Sequence, residues 1–167
     1  MLSLETDAGE DQIAPEVSTT TAGPAVDSTR PAGASAPVED AYGAAGYERL
    51  VAEGEAAVGR RVRAMIFCES IRSVGLRTGG EITANRSVAE TADAAGRVPA
   101  AECTWGDEAT APDLLLVVPP AQAERFASAP EVEQSFVRRR RVQAEVEWIG
   151  RSEALALRNV AVLRAID

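Results

Sequence analysis

The side chains that could do chemistry in this chain are arginines, carboxylates and two cysteines. All 17 basic residues are arginine, because the sequence contains neither histidine nor lysine. Without histidine there is no Ser-His-Asp or Cys-His catalysis, no imidazole metal ligand and no imidazole pH switch. Without lysine, Schiff-base chemistry and a phosphate-loop lysine are also excluded. The sequence therefore predicts a protein that is not an enzyme and that holds no metal and no cofactor.

The residues around the two cysteines, Cys68 and Cys103, do not indicate a reactive centre. Neighbouring carboxylates such as Asp107 and Glu108 would raise the pKa of the Cys103 thiol, which is the wrong direction for a nucleophile. Two cysteines are too few for a disulfide framework, and both lie in apolar segments. We therefore expect two buried thiols. The spacing of Asp107, Glu108 and Asp113 fits no calcium loop.

Arginine is the residue type here with the most binding potential, since its guanidinium is permanently charged and forks onto carboxylate or phosphate. Arg61, Arg63 and Phe67 share one side of a predicted strand. Arginine forks beside an aromatic ring are the groups that bind single-stranded nucleic acid. Cross-strand ion pairing, or coverage by the preceding helix, is the alternative interpretation. The candidate ligand-binding residues are Arg61, Arg63, Phe67, Arg77, Arg86 and Arg151.

The run Arg138–Arg141 is the most conspicuous local feature of the sequence. Four consecutive arginines could grip phosphates as a polybasic patch. On a strand, however, successive side chains point to opposite faces, so the run does not form one patch. We predict a solvated strand end whose arginines pair with nearby glutamates. These are Glu131, Glu133, Glu145 and Glu147.

Charge divides the chain into two parts. Residues 1–45 hold 8 acids and 1 base, a balance of −7, which leaves 18 acids and 16 bases for the remainder, a balance of −2. The first part consists largely of Ala, Pro, Ser, Thr and acids, with no helical or strand period. Such a segment cannot bury enough apolar surface to become ordered. We predict a disordered acidic tail over 1–45, either a solubilising tether or a partner-docking peptide, and a domain over 46–167.

The sequence pattern indicates no membrane-spanning or targeting segment in either part. The longest apolar run, Leu114–Val118, is too short to span a bilayer. The first residues lack a basic region and an apolar region, so no signal peptide is indicated. We expect no membrane partner and a cytoplasmic location.

Beyond the tail, alternating apolar residues predict a mostly β domain. A helix is expected over Ala44–Val58, and a long loop over 74–97 with one extra hairpin around Thr78-Gly79-Gly80. A parity change at Arg158-Asn159 indicates a β-bulge, with Leu155, Leu157, Val160 and Val162 facing inward. Val146 and Trp148 are placed inside the domain. The other expected elements are strands at Arg60–Ile71, Val98–Trp105, Asp113–Pro119, Val137–Ile149 and Ala154–Ile166, and a helix at Pro120–Ala127 anchored by Phe126.

This order of elements resembles the OB-fold families of bacteria, in particular the small tRNA-anticodon-binding-like type. The resemblance covers about residues 45–167. It is carried by the helix leading into Gly59-Arg-Arg-Val-Arg-Ala64, by the leucine-rich third strand with its following helix, and by the closing hairpin over 142–160. It implies a five-stranded OB-like β-barrel with a short helix between strands three and four and an N-terminal helix.

The resemblance also implies a ligand on the barrel face made by strands one to three. The loop between strands one and two, with Arg77 and Arg86, would flank that face, as would the loop between strands four and five, with Arg151. The chain departs from good nucleic-acid binders in its low aromatic content, 4%, and its slightly acidic domain. The expected function is a non-enzymatic binding module for weak single-stranded nucleic acid or a protein partner. The alternative is a scaffold component whose barrel docks a protein and whose acidic tail is the interaction segment.

Overall fold

The computed structural model describes residues 38–77, 85–106, 114–134 and 136–167. The predicted tail up to residue 37 and the predicted hairpin at 78–80 lie outside the described residues. The elements in chain order are β1 (Glu39–Asp40), α1 (Ala44–Glu53), β2 (Arg61–Cys68), β3 (Arg72–Gly75), α2 (Arg86–Ala89), β4 (Arg97–Trp105), β5 (Leu114–Val117), α3 (Pro120–Ala127), β6 (Glu131–Gln134), β7 (Val137–Ser152) and β8 (Arg158–Ile166).

Five strands form a closed ring. They pair in the order β2, β4, β5, β8 and β7, and β7 then pairs with β2. Neighbouring strands of the ring are antiparallel except β5 and β8, which are parallel. The closing contact is the long β2–β7 ladder, which runs from Arg61 opposite Glu147 to Cys68 opposite Arg140. The prediction of a mostly β domain is confirmed.

The inward side chains of β2 and β7 follow the predicted alternation. Val62, Ala64 and Ile66 are fully buried on β2. Val146 and Trp148 of β7 are buried in the same core cluster. Both placements confirm the sequence interpretation. The alternation of apolar and polar residues is enough to identify the buried face of a strand whose other face is exposed to solvent.

Side chains from outside the ring also contribute to this core. Tyr47 of α1 lies 5.5 Å from Trp105 and 5.6 Å from Trp148, measured between ring centroids, and the two tryptophans are 6.1 Å apart. Edge-on aromatic contacts of this kind add stability beyond the buried area. Leu50 of α1 and Phe126 of α3 belong to the same cluster, and Phe126 is the predicted anchor of its helix. The helices therefore position the core as much as the strands do.

The helical segment near the N-terminus differs from the expected one. It is not a single helix to Val58, because α1 ends at Glu53 and a 3-10 turn follows at Gly54–Ala57. Helical spacing predicts that Tyr47, Leu50, Val51 and Val58 lie near one side of the helix. Leu50 is buried, but Val51 and Val58 are both 43% exposed. The folded part also begins before residue 46, since β1 pairs with β2 and the Trp105 Nε1–H donates to the Ala41 carbonyl.

A second apolar cluster lies on the outer face of the ring. The insert between β2 and β4 contains β3 and α2, and it contributes Val88 together with the half-buried Val74. The Ser87 hydroxyl of α2 donates to the Glu147 carboxylate at 2.9 Å, which ties the insert to β7. The sheet residues under the insert are Val98, Ala100, Leu115, Val117, Val160 and Val162. The insert therefore covers the outer face of β4, β5 and β8.

This second cluster corrects the interpretation of the last strand. Val160 and Val162 are buried as expected, but they face the insert, whereas Ala161 and Leu163 face the main core. Leu157 was expected inward and is 49% exposed at the turn before β8. The predicted bulge at Arg158-Asn159 is also wrong, since the register shifts between β7 and β8 occur at Glu145/Val146 and at Trp148/Gly150.

The prediction of two free thiols is wrong. Cys68 and Cys103 form a disulfide with a Cα–Cα distance of 4.1 Å. They are directly opposite each other on β2 and β4, and both are fully buried. Opposed residues of an antiparallel pair come close enough for this bond. The sequence did not indicate the pairing because 35 positions separate the two cysteines.

Candidate interaction surface

The structure places Arg61 and Arg63 on the outer face of β2, as predicted, but each has an anionic partner. Arg61 Nη1 lies 3.4 Å from a Glu145 carboxylate oxygen. Arg63 Nη1 lies 3.7 Å from the Asp40 carboxylate on β1. Exposed pairs of this kind contribute little stability, but they reduce the positive charge available to a phosphate. The alternative interpretation, ion pairing across strands, therefore describes both residues.

Phe67 does not provide an exposed ring. It has the outward parity expected, yet only 7% of its surface is exposed. It is in register with Thr104 of β4 and Arg141 of β7. A base cannot stack on a ring that its neighbours already cover.

The three remaining predicted residues lie on the loops and strand ends. Arg86 begins α2, and its guanidinium donates to the Glu90 carboxylate at 2.7 Å. That hydrogen bond, with the charge of Glu90, raises the pKa of Arg86. Arg77 and Arg151 are exposed, and no ion pair joins either of them to another described residue. Of the six predicted residues, three lie on β2 and three on other elements or loops, namely Arg61, Arg63 and Phe67 against Arg77, Arg86 and Arg151.

The four-arginine run behaves differently at each position. Arg140 pairs with Glu131 at 3.0 Å, as expected of a strand end beside glutamates. Arg138 and Arg141 are exposed, and the Arg141 Nε–H donates to the Met65 sulfur at 3.3 Å. Arg139 is 8% exposed, which the prediction of a solvated strand end did not anticipate.

Burial of Arg139 follows from the unpredicted strand β6. The β6–β7 hairpin pairs Gln134 with Val137, which brings the Gln134 side chain next to Arg139. Arg139 Nη1 donates to the Gln134 side-chain oxygen at 3.0 Å and to the Thr104 hydroxyl at 3.3 Å. The Thr104 hydroxyl donates in turn to the same Gln134 oxygen at 3.2 Å. The alternation in Glu131-Val-Glu-Gln134 was the available signal for this strand.

The tip of the β6–β7 hairpin carries the most exposed large apolar side chain among the described residues. Phe136 is 97% exposed and has a φ of +67°. Positive φ is uncommon for a bulky residue and costs free energy. Val137 beside it is 43% exposed. We call Gln134, Phe136, Val137, Arg138 and Arg139 the hairpin surface.

A groove lies at the base of the β6–β7 hairpin, between α3 and the strands β2, β7 and β8. Its volume is about 670 Å³. The Arg141 amide donates to the Pro130 carbonyl at 2.9 Å, which joins the groove wall to the start of β6. The groove is lined by Met65, Glu124, Arg125, Ser128, Ala129, Pro130, Arg141, Val142, Gln143, Ile166 and Asp167.

Two arginines converge on the carboxylate of Glu102. Arg158 and Arg72 both donate to its Oε1. The hydrogen bond from Arg158 is the largest cause that lowers the pKa of Glu102, and partial burial opposes it. The group joins β4 to the insert through Arg72 and to β8 through Arg158.

We expect the contribution of Glu102 to depend on pH. A carboxyl whose pKa is lowered by folding stabilises the protein above its unfolded pKa, near 4.3, and loses that contribution as the pH falls through the folded value. Glu102→Gln should therefore be less stable than the parent at pH 7, and the difference should shrink below about pH 4.3. Urea unfolding of both proteins from pH 7 to pH 3 measures this. Glu90→Gln, on an exposed pair, is the control; a constant difference would contradict the prediction.

Comparison with protein-family models, with curated proteins and with solved structures finds no significant match for this chain. Within the described ranges no helix has the length and apolarity needed to cross a bilayer.

Proposed function

We propose that the chain is a non-enzymatic binding module with an OB-like barrel, and that its ligand is a protein partner. The ring order supports the barrel, since the third and fifth ring strands in chain order, β5 and β8, pair in parallel while β2 closes onto β7. The position of α3 between the third and fourth ring strands supports it as well. Five antiparallel-dominated strands with one such helix are the arrangement of the OB-fold.

The ligand site that we propose differs from the one implied by the resemblance. The insert buries Ala100 and Leu115 on the outer face of the second and third ring strands. A ligand lying across strands one to three would have to displace this cluster. The hairpin surface and the adjacent groove are free of that obstruction, so we place the partner there.

Phe136 carries the proposal. An aromatic side chain left 97% exposed, on a residue held at positive φ, gives nothing to the stability of the isolated domain. Strained residues of this kind cluster at binding sites, and aromatic anchors dominate protein interfaces. Val137 and Arg138 extend the anchor on the same hairpin, and arginine is also enriched at interfaces.

Capture experiments test this docking role. Phe136→Ala should weaken retention of the partner at least about 30-fold, the effect of losing an interface residue worth 2 kcal/mol or more. Leu157→Ala is the matched control, because Leu157 is also exposed at a positive-φ turn. Both variants and the parent are immobilised, and proteins retained from the cells that express the chain are quantified by mass spectrometry. If every retained protein binds Phe136→Ala as well as the parent, the hairpin is not the docking site.

Nucleic-acid binding is the competing function, and it makes a different prediction. Affinity for a short single strand would fall as the salt concentration rises. The slope of log K against log salt concentration would be about −0.7 for each phosphate contacted. Because Arg61, Arg63 and Arg86 are ion-paired and Phe67 is covered, we expect no measurable binding even at low salt. Fluorescence anisotropy with a labelled oligothymidine measures it. Binding that Arg61→Gln with Arg63→Gln abolishes would favour nucleic acid instead.

We also propose an oxidising compartment in place of the cytoplasm. Disulfides persist in oxidising environments and are rare in the reducing cytosol. The pair Cys68–Cys103 comprises both cysteines of the chain. Alkylation of the protein as isolated from its cells, with and without prior reduction, tests this proposal by mass spectrometry.

A further inference from the structure

Arg139 is the one charged side chain among the described residues that is at least nine-tenths buried. Moving a guanidinium out of water is costly, and buried arginines are normally matched by a carboxylate. No described carboxylate lies within ion-pair distance of Arg139. Among the described residues, Arg139 is therefore a buried positive charge without a counter-charge.

The hydrogen bonds of Arg139 engage one side of the guanidinium. Nη1 meets only neutral oxygens, those of Gln134 and Thr104. Nε is buried and has no acceptor. Nη2 has no acceptor among the described residues either. Nη2 therefore keeps its hydrogens available for a charge-assisted hydrogen bond to a carboxylate.

Arg139 lies on the β6–β7 hairpin, close in sequence to its exposed tip. Arg139 lies three positions from Phe136, the exposed anchor at the tip. Arg138 and Arg141 on the same strand have no ion pair with a described residue either. Arg139 and Arg141 are two positions apart and so share one side of β7, where an approaching partner with negative charge would be favoured.

We propose that Arg139 binds a carboxylate of an acidic segment in the protein partner. This inference rests on the proposed docking function and supplies the chemistry of the partner. The aromatic ring of Phe136 buries against apolar surface, and the partner's carboxylate forms the pair that Arg139 lacks. Truncating one member of such a desolvated pair weakens binding strongly, which makes Arg139 a specificity-determining residue.

Titration of the full chain with acetate, the smallest carboxylate probe, tests the inference without the partner. The readout is the Nε–H nuclear magnetic resonance signal of Arg139, assigned by its loss in Arg139→Met. We expect a saturable shift with acetate and none with chloride at equal ionic strength. Arg151→Met, which changes an exposed arginine outside the hairpin surface, should leave the shift unchanged. Absence of a saturable shift up to about 100 mM acetate, where a site with a Kd near 10 mM is more than 90% occupied, would overturn the proposal.

Titration with inorganic phosphate tests whether the negative group that Arg139 binds is a phosphate and not a carboxylate. We expect phosphate to bind no more than 3-fold more tightly than acetate, about 0.7 kcal/mol by the tenfold rule. If phosphate binds more than 10-fold more tightly, the site is built for a phosphate-bearing partner, and the acidic-protein proposal is wrong.

Two variants separate this inference from the docking function. Phe136→Ala should lose the captured partner but keep the acetate shift, because Phe136 is not among the hydrogen-bonding partners of Arg139. Arg139→Met should also lose the captured partner, and Arg139→Gln should not restore it, since an amide cannot supply the charge. Arg139→Met should melt at or above the parent temperature, because it removes an unmatched buried charge. A clearly lower melting temperature would show that Arg139 serves the fold instead.

Discussion

Replacing Cys68 and Cys103 together by alanine is expected to lower the free energy of unfolding by about 4 kcal/mol. A crosslink across a 35-residue separation restricts the unfolded chain, and the chain-entropy model gives about this value for such a loop. The disulfide also joins the two neighbouring ring strands that share the fewest residue pairs. β2 and β4 share only the three pairs from Ile66–Trp105 to Cys68–Cys103. Urea unfolding of parent and double variant without reductant measures the loss.

Reduction of the parent protein provides the control for this prediction. Alanine also removes buried sulfur, so the double variant combines loss of the crosslink with loss of packing. The parent treated with reductant loses the crosslink alone and should account for most of the destabilisation. If parent and reduced parent unfold at the same urea concentration, the bond does not stabilise the domain and the prediction fails.

Trp148→Ala is expected to cost about 3 to 5 kcal/mol of unfolding free energy. Trp148 is 1% exposed and packs edge-on against Tyr47 and Trp105, so its removal leaves a cavity at the centre of the ring. Domains of this size are stable by only about 5 to 15 kcal/mol, so the variant should be partly unfolded at 37 °C. Thermal and urea unfolding followed by circular dichroism measure the change.

Trp148→Phe separates cavity formation from hydrogen bonding. Trp148 Nε1 is buried and has no hydrogen-bond partner, so phenylalanine removes an unsatisfied donor while keeping most of the ring. We expect Trp148→Phe to cost less than about 1.5 kcal/mol, the usual limit for a shape-conserving change. Leu157→Ala, on an exposed turn, should change the stability by no more than about 0.5 kcal/mol. A parent-like Trp148→Ala would contradict the central position of this residue.

Local pattern predicted the ring strands well because alternation is a short-range property. Val62, Ala64 and Ile66 repeat every second residue, and that repeat alone identifies a strand with one buried face. The Pro-Pro step before α3 and the position of Phe126 likewise follow from adjacent residues. These features needed no knowledge of distant partners.

The same reasoning failed on β8 because both faces of this strand are buried. Both Val160 and Ala161 are buried, one against the insert and the other in the main core. Alternation shows that neighbouring residues point to opposite faces, but it cannot tell which of two dry faces lies inside the ring. The covering of this outer face by β3 and α2 came from tertiary contacts.

The candidate site itself was decided by register between strands far apart in sequence. Composition determined that this chain has no histidine or lysine chemistry, and that arginine carries its positive charge. Whether a given arginine is paired, exposed or buried depends on what lies opposite it. Arg139 is buried because β6 brings Gln134 beside it and β4 brings Thr104, and Cys68 meets Cys103 because β2 and β4 align there. Such pairings follow from chain closure, which no local pattern in the sequence encodes.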